Sequence, residues 1–213
     1  MEADRVGLKP FLLSLGALAA AEGVGNLAVA SEAIPSLPAL GLVRIAEISL
    51  FLLIFHIWGD GPRSLGLGPG QIRRGIRSGL IGSAVFGGVV LVGFGIIYLM
   101  GQNPFTLFRT RLPADGSDRL LFLLLGGLVA PVAEEIFFRG ILYGRLRKLG
   151  IPAALLISSA IFILAHPSAG FTQSVGGVVF ALAYERAGWL MTPIVIHVLG
   201  NSAIFAVAMM GGA

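Results

Sequence analysis

The chain has 213 residues, of which 56% are hydrophobic and 12% are charged, and its mean hydropathy is +0.91. A soluble globular domain is nearer half apolar and a quarter charged, so this composition argues against an ordinary soluble fold. The chain contains no cysteine, which excludes disulfides, thiolate nucleophiles and cysteine-based metal sites. The net charge is +4, but the cations lie in short segments between apolar blocks, where membrane topology explains them better than nucleic-acid binding does.

The apolar residues come in long blocks without polar–apolar alternation, which indicates helices that cross a membrane rather than the strands of a barrel. We therefore predict an all-α polytopic transmembrane helical bundle of about six to seven helices. The prediction is a single integral membrane domain over residues 1–213, located in the cell membrane as a multi-pass protein. The predicted helices are 10–30, 39–58, 79–100, 119–148, 151–165, 175–184 and 189–210.

The first apolar block, 10–30, has two interpretations. Its residues 11–21 and the small residues Ala28-Val-Ala30 are similar to a secretory signal peptide, but the polar Glu22 and Asn26 interrupt that pattern and further helices follow. We favour a retained first helix. Glu22 and Asn26 are four residues apart, so they share a helix face and are expected to make a polar contact with another helix.

In the second predicted helix, Arg44 and Glu47 are three residues apart and can pair. The next segment, 61–78, sets the expected orientation because it contains no acidic residue and four arginines: Arg63, Arg73, Arg74 and Arg77. This is the strongest positive-inside signal in the chain, so we place the segment in the cytoplasm, with the N-terminus on the same side. Its second half, 71–78, is predicted to form an interfacial amphipathic turn.

Glycines of the third predicted helix and its approach suggest close packing against neighbouring helices. They are Gly75, Gly79, Gly87, Gly88, Gly93 and Gly95. After an external loop over 101–118, Asp118 is the expected N-cap of the fourth helix. The polar, glycine-containing break at 168–174 is predicted to be irregular and re-entrant.

The chemistry of the chain concentrates in the stretch 133–140, AEEIFFRG, inside the apolar run 120–146. An ionised group at that depth costs at least about 2.5 kcal/mol, so two carboxylates and an arginine there indicate a buried functional site. Glu135 and Arg139 are four residues apart and can form an ion pair on one helix face. Glu134 is five residues from Arg139 and is left to face another helix.

The Glu134 face of this helix is lined by small residues. Ala130 and Gly127 lie four and seven residues before Glu134, and Pro131 removes a backbone hydrogen bond and is expected to kink the helix. Small residues and a freed carbonyl make room for water or a substrate backbone. Tight helix packing around a kink is the alternative, but packing alone does not call for a carboxylate.

Two later segments supply candidate partners for Glu134. His166 closes the fifth predicted helix, and His197 and Asn201 share one face of the last helix. These last two side chains can join helices, or they can donate to a developing oxyanion. Pro193 is expected to kink this helix and to free the carbonyl of Trp189.

The depths of these side chains follow from the helical rise. Measured from Arg145, Glu134 lies roughly 13–15 Å into the membrane, and His197 lies roughly 12–14 Å into its helix. His166 lies roughly 20 Å along its helix, which is several ångströms deeper, so this helix is expected to tilt or to start late.

Three motifs in this order carry a resemblance: Glu134-Glu135-x-x-x-Arg139, Phe162-x-x-x-His166 and His197-x-x-x-Asn201. Together they resemble the motifs of the CPBP intramembrane proteases, a family that includes CAAX prenyl endopeptidases of the Rce1 type and bacteriocin-processing or immunity proteins. The run 188–197 also resembles the family's stretch before the third motif. The resemblance covers residues 118–205, the expected catalytic core, with 1–117 as scaffold helices.

The resemblance implies a glutamic intramembrane endopeptidase whose site lies between the fourth, fifth and last helices. Glu134 would be the general base, and His166 would help to hold or activate water. His197 and Asn201 would form the oxyanion hole.

The resemblance also implies supporting roles and partners. Glu135 and Arg139 would support the helix of the first motif, and no cofactor would be needed. The expected partners are membrane lipids and a membrane-associated protein or peptide substrate, whereas the oligomeric state and the substrate's prenylation are not specified by the sequence.

Two alternatives stay open at this point. A zinc-dependent membrane protease is one, since Glu and His are good zinc ligands, although the chain has no His-Glu-x-x-His motif. A non-catalytic adaptor, immunity protein or transporter is the other, because intramembrane acids and histidines also build proton relays. Against transport, the chain has no internal repeat and no matched pair of broken helices.

Overall fold

A computed structural model describes residues 6–108, 110, 112–166 and 170–210 of the chain. Over these residues the fold is helical throughout and has no strand, which confirms the predicted all-α class. Two 3₁₀ turns, Pro62–Leu65 and Pro104–Leu107, lie between the longer helices. The seven helices of the described residues are α1 (Leu8–Ala30), α2 (Ser36–Trp58), α3 (Pro69–Leu99), α4 (Gly116–Leu149), α5 (Ile151–Leu164), α6 (Phe171–Ala187) and α7 (Met191–Met210).

Five of these helices, α1, α2, α3, α4 and α7, are long and apolar enough to cross a membrane. The other two are shorter. α5 has 14 residues and α6 has 17, so their lengths are roughly 21 and 26 Å, against a hydrocarbon core of about 30 Å. Complete crossings are therefore expected for five helices, with α5 and α6 forming a shorter pair.

The centre of the protein is the second half of α4. Every residue from 135 to 144 is buried, including the charged Glu135 and Arg139. A helix that is apolar on all sides must be surrounded by other helices. Here the surrounding buried side chains come from α2, α5, α6 and α7 and include Phe51, Phe162 and Ile194.

Two segments expected to be irregular are helical. α3 begins at Pro69, so residues 71–78 are its first turns rather than a separate interfacial turn. Proline is favoured in a first helical turn because its missing N–H has no partner there anyway. The irregular break was predicted for 168–174, but α6 already begins at Phe171, so the prediction is wrong from residue 171 onward. Residues 168 and 169 of the predicted break lie outside the described residues.

The N-cap of α4 is Asp115 rather than the expected Asp118. The Asp115 carboxylate accepts hydrogen bonds from the backbone N–H groups of Ser117 (2.8 Å) and Asp118 (3.2 Å), and one from the Ser117 hydroxyl. These bonds, above all that of the hydroxyl, lower the pKa of the Asp115 carboxyl. Asp118 instead lies in the first turn, where a negative charge is favourable beside the positive end of the helix dipole.

The close approach predicted for Gly75 and Gly79 is confirmed. A Cβ added at Gly75 would lie 2.6 Å from the Cβ of Met191, and one at Gly79 would lie 2.6 Å from the Cβ of Val195. α3 and α7 therefore pack backbone against backbone along this line. The prediction is wrong for four later glycines, where an added Cβ would have no described atom of another helix within 4 Å: Gly87, Gly88, Gly93 and Gly95.

Polar contacts join α1 and α2 as predicted. Arg44 binds Glu47 within α2 (2.6 Å) and Glu22 of α1 (2.9 Å). In α7 the expected kink at Pro193 is wrong, because α7 begins at Met191 and Pro193 lies in its first turn. The carbonyl of Trp189 is not free either, since it accepts a hydrogen bond from the N–H of Thr192.

Candidate active site

The carboxylate of Glu134 lies close to two histidine side chains from other parts of the chain. Its Oε2 lies 3.7 Å from Nε2 of His166 and 3.9 Å from Nε2 of His197. The side chains of Glu134 and His166 are 18% and 26% exposed, so both are partly accessible, whereas that of His197 is 7% exposed. The structure thus brings together three of the four residues predicted as catalytic, from α4, from the end of α5 and from α7.

The predicted difference in depth between Glu134 and His166 is not present. α4 continues past Arg145 to Leu149, and α5 begins only two residues later at Ile151. Glu134 and His166 therefore lie at equal separations from the turn between the two helices, about fifteen residues or roughly 22 Å. The expectation was wrong because the depth of Glu134 was measured from Arg145, four residues before the end of α4 at Leu149.

Glu135 has two partners on one oxygen. Its Oε1 accepts a hydrogen bond from Nη1 of Arg139 (3.0 Å), which confirms the predicted ion pair, and another from Nδ1 of His197 (2.8 Å). Glu135 is 0% exposed. It therefore both neutralises Arg139 and fixes the ring of His197. Helix spacing cannot indicate the second contact, because it joins two helices that are far apart in sequence.

Arg139 is enclosed by groups that sequence analysis missed. Its Nη2 donates to the carbonyl of Gly177 in α6 (3.1 Å), which also accepts a hydrogen bond from the hydroxyl of Ser159 (2.9 Å). The guanidinium lies over the ring of Phe162, 4.4 Å from its centre, and within 5.3 Å of the centre of the Phe180 ring. Such contacts with aromatic faces stabilise a desolvated cation.

The hydrogen bonds of the two histidines determine which ring nitrogen carries a proton. Nδ1 of His166 lies 2.7 Å from the carbonyl of Phe162, an acceptor, so this nitrogen donates. Nδ1 of His197 likewise donates to the carboxylate of Glu135. In a neutral ring the other nitrogen, Nε2, then has a free lone pair. Both lone pairs lie beside Glu134, so the cluster presents three proton acceptors to a common space.

Asn201 lies one helical turn after His197 and donates from Nδ2 to the carbonyl of Gly126 (2.9 Å). α4 is π-helical over Leu125–Val129, and the N–H of Ala130 bonds to the carbonyl of Leu125, five residues back. If residue 131 bonded in the same way, five residues back, its N–H would donate to the carbonyl of Gly126, but Pro131 has no N–H. The freed carbonyl predicted from Pro131 therefore exists, and Asn201 binds it and joins α7 to α4.

The remaining surroundings of the site are aromatic. The ring of His197 stacks on Phe180, with 4.3 Å between centres and 21° between planes. A second π-helical segment, Ile136–Tyr143, contains Arg139. π-helical turns are frequent at functional sites. Over the part of the chain that the structure describes, no group of three or more acidic or histidine side chains is arranged to hold a metal ion.

Comparison with known proteins identifies the same part of the chain. Residues 116–203 match the family described as type II CAAX prenyl endopeptidase, Rce1-like. The chain is 33% identical over 93 residues to the membrane-embedded CAAX protease MroQ of Staphylococcus aureus (strain USA300), covering 39% of this chain and 38% of that protein. It is 31% identical over 141 residues to an uncharacterized 24.3 kDa protein of Escherichia coli, covering 60% and 62%.

The chain thus matches about two fifths and three fifths of the lengths of these two relatives. No solved structure matches at a comparable level. The matched range 116–203 contains all three motifs and the helices that bring them together, α4 to α7. With five helices long enough to cross a membrane, the protein is a multi-pass membrane protein. Residues 116–203, which hold the candidate site, are thus similar to the Rce1-like type II CAAX prenyl endopeptidase family.

Proposed function

We propose that the protein is an intramembrane glutamic endopeptidase, which hydrolyses a peptide bond of a membrane-associated protein or peptide with a water molecule activated by Glu134. One observation carries the proposal: Oε2 of Glu134 faces Nε2 of both His166 and His197, at 3.7 and 3.9 Å. Both separations exceed a direct hydrogen bond. A water molecule can therefore bind to the carboxylate and an imidazole at the same time.

The proton acceptors on Glu134 and His166 suit the first step. A water that donates one hydrogen to each keeps a lone pair of its oxygen free for attack on the scissile carbonyl. As the new C–O bond forms, the proton moves to Glu134 and the carbonyl oxygen becomes an oxyanion. When the C–N bond breaks, Glu134 returns the proton to the leaving amine. Water and peptide are thereby converted into a carboxylic acid and an amine, and the Glu134 carboxylate is regenerated.

His197 and Asn201 are the proposed donors to the oxyanion. Because Nδ1 of His197 already donates to Glu135, its Nε2 can donate only if the ring is an imidazolium. Asn201 has a second N–H besides the one bound to Gly126, so it can join the helices and donate to the oxyanion as well.

The decisive variant is Glu134→Gln, which keeps the size of the side chain and removes the base. We expect cleavage of a quenched fluorescent peptide in proteoliposomes to fall by about 100-fold or more, while the melting temperature stays close to that of the parent protein. Peptides with and without a prenyl group should be compared. Glu32→Gln, in the exposed turn between α1 and α2, is the matched control and should remain active.

Three results would argue against the proposal. Full activity of Glu134→Gln would exclude Glu134 as the base. Loss of activity in EDTA with recovery on addition of zinc would favour a zinc-dependent protease instead. A parent protein that cleaves none of the peptides, yet is required by a partner in the cell, would indicate an adaptor or immunity role.

A further inference from the structure

We propose that Phe180 of α6 is a positioning residue for the reaction: its ring sets the plane of the His197 imidazole and thereby directs Nε2 at the carbonyl oxygen of the substrate. The inference rests on the proposed function, in which His197 donates to the oxyanion, and Phe180 acts through that side chain. It gives a part in the reaction to α6, a helix that supplies no residue of the three motifs.

The rings of Phe180 and His197 are in direct face contact. Their centres are 4.3 Å apart and their planes differ by 21°, and both side chains are buried. Phe162 approaches the same imidazole differently, with its ring centre 6.1 Å away and its plane at 70°. Aromatic rings in such stacked and edge-on arrangements attract each other in a defined geometry. The face of Phe180 is therefore the surface against which the His197 ring lies flat.

The hydrogen bond of His197 does not fix its ring plane by itself. Nδ1 donates to Oε1 of Glu135 over 2.8 Å, which holds one atom of the ring and leaves the ring free to turn about the line of that bond. Nε2 lies off this line, so such a turn would move it away from its place 3.9 Å from Oε2 of Glu134. Contact with the face of Phe180 prevents the turn, because a rotated imidazole would collide with the phenyl ring. The hydrogen bond and the stacking together determine where Nε2 lies.

Phe180 is itself held in place by its neighbours. A long side chain in a helix lies over the preceding turn, and at Gly176, four residues before Phe180, an added Cβ would be only 3.0 Å from the phenyl ring. The guanidinium of Arg139 lies 5.3 Å from the centre of the same ring and binds Glu135 over 3.0 Å. The contacts thus form a closed cycle from His197 through Glu135 and Arg139 to Phe180 and back to His197, across α4, α6 and α7.

The test compares steady-state cleavage by Phe180→Leu, Phe180→Tyr and Phe51→Leu in proteoliposomes. Phe180→Leu stays apolar but removes the ring, so kcat should fall by about 10-fold or more. KM should stay close to that of the parent, because the oxyanion exists only after the substrate has bound. Phe180→Tyr retains the ring and should recover most of the parent kcat. Phe51→Leu is the matched control, since Phe51 is buried and stacks on Phe137 (5.7 Å, 29°), and its kcat should equal that of the parent.

An unchanged kcat in folded Phe180→Leu, or equal losses in Phe180→Leu and Phe51→Leu, would overturn the inference and leave Phe180 a packing role. A raised KM with the parent kcat would overturn it as well, because Phe180 would then act on substrate binding. If Phe180→Leu does not fold, Phe180→Met replaces it, since a flexible methionine fills irregular gaps in a core. The same loss of kcat is expected there, and the parent kcat would again overturn the inference.

A second readout separates this inference from the proposed function. The chain has three histidines, so the ring signals of His197 can be assigned in solid-state NMR spectra by replacing each histidine in turn. The order parameter of its ring C–H bonds reports how firmly the imidazole is held, without any cleavage. It should fall in Phe180→Leu and keep the parent value in Phe180→Tyr and Phe51→Leu. An unchanged order parameter in Phe180→Leu would overturn the inference, whereas a fall in a protein without peptidase activity would support it and contradict the proposed function.

Discussion

Glu134 and Glu135 are adjacent in α4, yet their carboxylates have different surroundings. Glu135 is fully buried and accepts hydrogen bonds from Arg139 and His197 on one oxygen. Glu134 is partly exposed and lies at more than hydrogen-bond distance from both of its histidine neighbours. A carboxylate with two fixed donors stabilises the fold, whereas a partly exposed one without such donors is available to react. Adjacent residues of the same type therefore have different expected costs of substitution.

The variant Glu135→Gln should destabilise the protein much more than Glu134→Gln does. It leaves the buried Arg139 without a counter-charge, and breaking a buried ion pair in this way costs about 3–5 kcal/mol. Thermal unfolding in detergent would measure the difference, and Arg139→Gln should resemble Glu135→Gln. Equal melting temperatures for the three variants would contradict the assignment of Glu135 and Arg139 as the stabilising pair.

At the scale of single elements, α4 depends on a side chain from α7. The π-helical turn at Leu125–Val129 and the missing N–H of Pro131 leave the carbonyl of Gly126 to Asn201. The contact is partly buried, so leaving this carbonyl unpaired costs up to about 1–3 kcal/mol, the range for a fully buried group. The π-helical turn with Pro131 and the hydrogen bond from Asn201 are thus coupled. A substitution at Pro131 should change how much stability is lost when Asn201 is replaced.

A double-mutant cycle tests this coupling. Asn201→Ala should lower the free energy of unfolding by about 1–3 kcal/mol. In a Pro131→Ala background the same change should have a smaller effect, because residue 131 then has an N–H that can donate to Gly126. The measurement is thermal or denaturant unfolding of the parent, both single variants and the double variant. Strictly additive effects would show that Pro131 does not create the need for Asn201.

The packing of α3 on α7 makes a second prediction at this scale. Gly79→Ala would place a Cβ 2.6 Å from the Cβ of Val195 and 3.0 Å from the backbone carbonyl of Thr192, neither of which can yield easily. We expect a loss of stability of about 1–3 kcal/mol. Gly87→Ala, in the same helix, is the matched control, since no described atom of another helix lies within 4 Å of its added Cβ. Equal melting temperatures for both variants would contradict close packing at Gly79.

The elements differ in how well the sequence predicts them. Long apolar blocks predict α1, α2, α4 and α7 within a few residues, because the thickness of the bilayer fixes their length. The helix ends are less predictable, since a single side chain such as Asp115 decides where α4 begins. The π-helical turns could not be predicted, because the one at Leu125–Val129 is completed by Asn201 from a distant helix.

In the candidate site too, contacts within one helix can be predicted from the sequence, and contacts between helices cannot. The pair of Glu135 and Arg139 follows from local spacing, which the sequence contains. The hydrogen bond from His197 to Glu135, the carbonyl of Gly177 beside Arg139 and the stacking of Phe180 on His197 depend on helix packing. The motifs indicate which residues matter, and their contacts require the fold.

In the whole molecule, α5 and α6 form a hairpin that returns to the end of α4. Arg147, near the C-terminal end of α4, binds both carboxylate oxygens of Glu185 near the end of α6 (2.9 Å each), and Tyr143 donates to the same carboxylate. The ends of α4 and α6 therefore lie on one side of the bundle. α5 enters from that side, His166 lies at its far end, and α6 returns.

This arrangement predicts a topology that can be tested directly, because the chain has no cysteine of its own. Arg73 and Lys148 belong to the two basic segments, so we expect Arg73→Cys and Lys148→Cys to react with an impermeant maleimide only from the cytoplasmic side. Glu32→Cys and Gln102→Cys, in the connections after α1 and α3, should react in intact cells. The inverse pattern would reverse the orientation but keep the five crossings. Labelling of Glu32→Cys and Gln102→Cys from different sides would contradict the crossings themselves, because α2 and α3 together must bring the chain back to the side where α1 ends.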